Sequence, residues 1–67
     1  MNKRERIVKF LLEKGCIEVV CRSKKYRQFL RPGRSDYYFV GRNGALRAGK
    51  NISESISLTY TSIVKNI

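Results

Sequence analysis

Between residues 22 and 50 the chain sets nine basic side chains (Arg22, Lys24, Lys25, Arg27, Arg31, Arg34, Arg42, Arg47 and Lys50) against one acid, Asp36. Guanidinium and ammonium groups at that density can neutralise phosphates. The rings interleaved with them, Tyr26, Phe29 and Tyr38, are of the type that stacks on unpaired bases. Over all 67 residues there are 15 Lys+Arg and 5 Asp+Glu, a formal net charge of +10 with no histidine. Nine bases less one acid place +8 of that total within residues 22–50. A potential so concentrated attracts a polyanion, nucleic acid first and an anionic membrane or acidic protein second. Charge runs usually just solvate a face, but a solvating face has no need of so few acids among its bases.

Other chemistry finds little to work with. There is no histidine, no carboxylate pair in a plausible cleft, and no Ser or Cys with a candidate base, so a protein without catalysis is expected. Gly41-Arg42-Asn43-Gly44 lacks the Gly-Lys-Ser/Thr that would make it a phosphate loop. Cys16 and Cys21 on one strand would point to opposite faces about 16 Å apart, too far for a bridge. Without histidine or Cys-x-x-Cys the usual zinc ligand sets are missing, so neither metal nor cofactor is expected, nor a small-molecule substrate. Cys21 reads as a small core residue beside Val19, and Cys16 as a partly covered thiol. No apolar run is long enough to span a bilayer, and the N-terminus lacks the features of a signal peptide. A cytoplasmic protein without a membrane partner is the expectation.

The elements that must position these residues can be read in turn. Asn2 can cap a helix over residues 3–14, with Glu5 as the reciprocal member of a capping box and Gly15 as the stop. Ile7, Val8, Phe10, Leu11 and Leu12 form its apolar arc. Residues 16–22 alternate as a strand, with Ile17, Val19 and Cys21 on the core side and Glu18 and Arg22 on the other. The segment around residues 26–31 fits either a short helix or a strand. The strand is chosen, because antiparallel neighbours are available on both sides. Pro32-Gly33-Arg34-Ser35 then turns the chain.

Asn43-Gly44 is the strongest short hairpin signal in the sequence and predicts a two-residue type I′ loop. That loop sets Arg42 opposite Ala45, Val40 opposite Arg47, Phe39 opposite Ala48 and Tyr38 opposite Gly49. One face would carry Tyr37, Phe39, Leu46 and Ala48 for the core. The other would carry Tyr38, Val40, Arg42, Ala45 and Arg47. In the tail, Ile52, Ile56, Tyr60, Ile63 and Ile67 fit a helical face, but Ser/Thr and β-branched content favours a strand over residues 54–58. A short helix capped by Thr59 or Thr61 follows. The alternating Ser53, Ser55 and Ser57 read as a solvated strand face.

The expected fold is a single α+β domain over residues 1–67. An N-terminal helix packs on an antiparallel β-meander of about four strands, followed by a C-terminal strand, a short helix or both. Apolar residues make up 42% of the chain, enough for a small core. The expected interaction surface is Lys25, Arg27, Phe29 and Arg31 on one strand with Tyr38, Arg42, Arg47 and Lys50 from the hairpin. It would bind DNA or RNA mainly through phosphate and stacking contacts. For Tyr38, core packing and base stacking both remain open. The alternative is a protein-interaction module or homodimer using the basic face or an edge strand. The run from Tyr38 to Lys50, YFVGRNGALRAGK, followed by Ser53 and Ser55, resembles a pattern in small phage and mobile-element proteins of no assigned activity. That resemblance implies a prokaryotic or viral setting.

Overall fold

The computed structural model describes residues 2–66. Helix α1 (Lys3–Glu13) begins where Asn2, in extended backbone, accepts the Glu5 N–H on Oδ1 at 2.8 Å. This is the side-chain cap expected of asparagine at that position. The helix ends in a Schellman turn: Gly15 takes φ 91°, its N–H donates to the Leu12 carbonyl, and the Cys16 N–H donates to the Leu11 carbonyl. Five antiparallel strands follow in simple sequential order: β1 (Ile17–Val19), β2 (Tyr26–Leu30), β3 (Tyr37–Gly41), β4 (Leu46–Gly49) and β5 (Ile56–Leu58). A short helix, α2 (Tyr60–Asn66), comes last, with Thr59 Oγ1 accepting the Ser62 N–H at 3.2 Å. The α+β meander expected from sequence is the observed architecture, and the C-terminal strand and short helix are both present. Ile67 lies outside the described residues.

Helix α1 lies across one face of the sheet. Ile7, Val8 and Leu11 bury against Phe29, Tyr38, Val40, Leu46 and Ala48, and Ile63 of α2 closes the same core. Phe10, partly buried, meets Tyr60 edge to face at 5.5 Å, which ties the two helices together.

The hairpin register differs from the expected one by a single residue. Gly44 N–H donates to the Gly41 carbonyl and Gly41 N–H to the Ala45 carbonyl, so the loop holds three residues, Arg42, Asn43 and Gly44. Gly44 alone has positive φ, 86°, as a type I turn followed by a glycine bulge requires. Val40 therefore faces Leu46, Phe39 faces Arg47, Tyr38 faces Ala48 and Tyr37 faces Gly49. A one-residue slip moves a whole strand's side chains to the opposite face. Leu46 and Ala48 join Tyr38 and Val40 under the helix, while Arg47 joins Phe39 and Tyr37 on the face the helix leaves free. The structural reason is economy of burial, since only this register puts all four apolar residues against α1. The tip also fits the helix start, because a Cβ on Gly44 would come within 2.6 Å of the Lys3 side chain.

The first strand differs in the same sense. The Schellman turn delivers Cys16 into the core, so alternation puts Glu18 on the helix side, opposite Phe29, and leaves Ile17 62% exposed. The strand ends at Val19, and Cys21 lies beyond it, half-buried. The expected roles of the two cysteines are thus exchanged.

Two tests follow from these corrections. Cys16→Ser should cost about 1–3 kcal/mol by placing a hydroxyl in an apolar site, and Cys21→Ser less than about 0.5 kcal/mol. Thermal melts under reducing conditions measure both, and equal losses would contradict the register of β1. Gly44→Ala should cost about 1–2 kcal/mol through left-handed strain. Asn43→Ala, which removes only the 3.3 Å bond from Ala45 N–H to Asn43 Oδ1, should cost less than about 1 kcal/mol.

Candidate functional site

Half of the residues expected to form one basic, aromatic surface, Arg27, Phe29, Arg31 and Tyr38, lie on the helix-covered side. Phe29 and Tyr38 are 0% and 2% exposed, so neither ring can receive a base. Arg27 forms a bidentate pair with Glu18, at 2.7 and 2.6 Å, approaches Glu5 at 3.8 Å, and sits over the Phe29 ring. Arg31 pairs with Asp36 at 2.8 Å and covers the Tyr38 ring at 4.6 Å, while Arg34 reaches the other Asp36 oxygen at 3.1 Å. Three of the five acids are therefore matched with three arginines around the rim of the core. The hydrogen bond from Arg27, reinforced by the charges of Arg27 and Arg4, holds the Glu18 carboxyl below its ordinary value of 4.5. Burial pushes the Tyr38 phenol and the Cys16 thiol upward, each partly offset by Arg31.

Arg47 lies on the opposite face but is structurally engaged. Its guanidinium donates to Ser55 Oγ at 2.7 Å, the Ser55 carbonyl at 2.7 Å and Ser57 Oγ at 3.0 Å. Of the serine row expected to be a solvated face, Ser53 and Ser57 are exposed, whereas Ser55 is buried and, with Ser57, is clamped by Arg47.

That clamp helps build a groove on the helix-free face. The connections over residues 20–23 and 50–53 flank this groove of about 670 Å³, whose floor is Gln28, Tyr37 and Phe39. On the β4–β5 side the wall is fixed locally. Asn51 Oδ1 accepts the Glu54 N–H at 2.9 Å and the Ser53 hydroxyl at 2.7 Å. The Ser55 hydroxyl donates to the Ile52 carbonyl at 2.6 Å. Gly49 allows this fold-back, since a Cβ there would lie 2.8 Å from Ser55 Cα. On the β1–β2 side Ser23 Oγ accepts the Lys25 N–H at 3.3 Å. Arg22 and Lys50 stand on opposite walls, and neither forms an ion pair with another described residue. No acid lines the groove. Phe39 is 1% exposed and its ring lies 6.3 Å from that of Tyr37, its neighbour on the same face of β3.

A shallower recess beside the hairpin tip is lined by Lys25, Tyr26 and Arg42 among others. Tyr26 and Gln28 are two apart on β2, so this recess and the groove open on the same side of the sheet.

Of the residues singled out from sequence, Lys50 lies in the groove, Lys25 and Arg42 in the recess, and Arg47 behind the groove wall. Arg27, Phe29, Arg31 and Tyr38 belong to the helix side. Sequence reasoning missed Arg22, Gln28, Tyr37 and Asn51. The available signal was the shared strand parity of Tyr26 and Gln28, and Arg22 at the head of the basic run. Among the described residues no cluster of three metal-ligating side chains occurs, and no helix is long and apolar enough to cross a membrane. The chain matches no family model, no curated protein and no solved structure. Its functional reading rests on its own geometry and charge.

The Arg27–Glu18 pair gives a pH signature. A carboxyl with a depressed folded-state pKa stabilises the fold above its unfolded value, near 4.5, and loses that contribution as pH falls through the folded value. Because the Glu18 side chain is 38% exposed, Glu18→Gln should cost only about 0.2–1 kcal/mol at pH 7. The melting temperatures of variant and parent should converge in strong acid. A gap of equal size at both ends would contradict the pairing.

Proposed function

We propose that this chain is a small, basic, non-catalytic accessory protein that binds nucleic acid, DNA or RNA. It holds its ligand mainly by phosphate and stacking contacts from the helix-free face of its sheet. The observation that carries this reading is a set of cations on that face with no acid among them. Arg22 and Lys50 line the groove and Lys25 and Arg42 the recess, none of the four enters an ion pair with another described residue, and no acid lines either hollow. The field on that side is therefore uncompensated, and phosphates are the ligands such a field selects. Tyr26 and Tyr37 are half-buried beside these cations, which supports ring contacts alongside the ionic ones. A cytoplasmic setting in a prokaryotic cell, or in a host cell, accompanies this reading.

A second reading is favoured by one feature. The free edge of the sheet at β1 presents Ile17, and Val20 just beyond it is 96% exposed, which would suit strand addition by a protein or a second copy. Salt separates the two. If about five phosphates of a single strand are neutralised, log affinity should fall against log salt with a slope of about −3 to −4. Arg22→Ala or Lys50→Ala should each flatten it by about 0.7. Anisotropy titrations at three salt concentrations measure this. No binding at low salt, combined with a salt-resistant dimer, would assign the surface to protein.

A further inference from the structure

Resting on the nucleic-acid reading, we infer that the groove on the helix-free face seats one unpaired nucleobase of a single strand. Tyr37 is its stacking ring, the Gln28 amide meets its edge, and Arg22 and Lys50 hold the flanking phosphates. Groove volume sets the scale, since about 670 Å³ lies within the range of sites that take one small ligand. The connections over residues 20–23 and 50–53 line the groove together with Tyr37 and Gln28. A base turned out of a single strand can enter.

The chemistry of the floor fits the same occupant. Gln28 makes no side-chain hydrogen bond to another described residue, so its donor and acceptor both remain open to the groove. An amide of this kind recognises an edge carrying one donor and one acceptor, as unpaired bases do. Phe39 is almost fully covered and packs beside Tyr37, with the rings tilted at 51°. The cations stand on opposite walls, so a strand that drops a base between them carries a phosphate toward each. Asn51 and Arg47 act as positioning residues: the first closes the turn that carries Lys50, and the second clamps Ser55 behind it.

Two fluorescein-labelled strands of ten nucleotides, one of thymidines and one abasic throughout, carry the same phosphates and differ only in bases. With the unmodified protein at low salt, anisotropy should show the thymidine strand binding about tenfold or more tighter than the abasic one. Tyr37→Leu should remove most of that difference and leave abasic-strand affinity within twofold. The chain has no tryptophan, so Tyr37→Trp adds a sole reporter whose emission should be quenched by the thymidine strand and not by the abasic one. Equal affinity for the two strands would overturn the base pocket while leaving phosphate binding intact. No binding to either would remove the nucleic-acid reading itself.

Discussion

The left-handed backbone at Gly44, φ 86°, fixes the rest of the structure. It allows Arg42, Asn43 and Gly44 to form a three-residue loop, and that loop sets which residues of β4 face the helix. Leu46 and Ala48 complete the core with Tyr38 and Val40, and Arg47 turns to the other side. From there Arg47 reaches across to Ser55 and Ser57, which fixes the β4–β5 connection and with it one wall of the groove. A shift of one residue in the loop would bury an arginine under α1 and dissolve that wall. Core and candidate site thus depend on the same backbone angle.

Charge follows the same division. The helix-covered side gathers acids and arginines into pairs at the margin of the core, where Arg27 and Arg31 also lie over the rings of Phe29 and Tyr38. Such arginines act as packing as much as charge. On the opposite side the cations lining the groove and the recess, Arg22, Lys25, Arg42 and Lys50, have no acid among them. A small domain with little core cannot bury charges cheaply, so pairing at the rim of the core and leaving the free face electropositive satisfies stability and ligand attraction together.

Local signals were legible in the sequence, and non-local ones were not. Asn2 and Gly15 delimit α1 because capping depends on a few adjacent residues. Each strand was placed approximately, since alternation and turn residues are also local. The register of β3 with β4 was not legible. Asn43-Gly44 suits a two-residue loop and a three-residue loop with a glycine bulge equally well, and only burial of Leu46 and Ala48 beneath α1 decides between them. The exchange of Cys16 and Cys21 has a similar origin, because the Schellman turn, not the alternation, sets the parity of β1. The groove was largely invisible because its walls are irregular connections without periodicity. Of the residues expected from sequence to form the surface, Lys50 alone lines it, because a two-residue loop would place Tyr37 on the core face.

The central claim is that register, and NMR of the isotope-labelled protein tests it most directly through cross-strand nuclear Overhauser contacts between β3 and β4. The account predicts contacts pairing Val40 with Leu46, Phe39 with Arg47 and Tyr38 with Ala48, together with contacts from the Leu46 methyls to α1. Contacts pairing Val40 with Arg47 and Tyr38 with Gly49 would contradict it, returning Arg47 to the helix side and removing the physical basis of the groove.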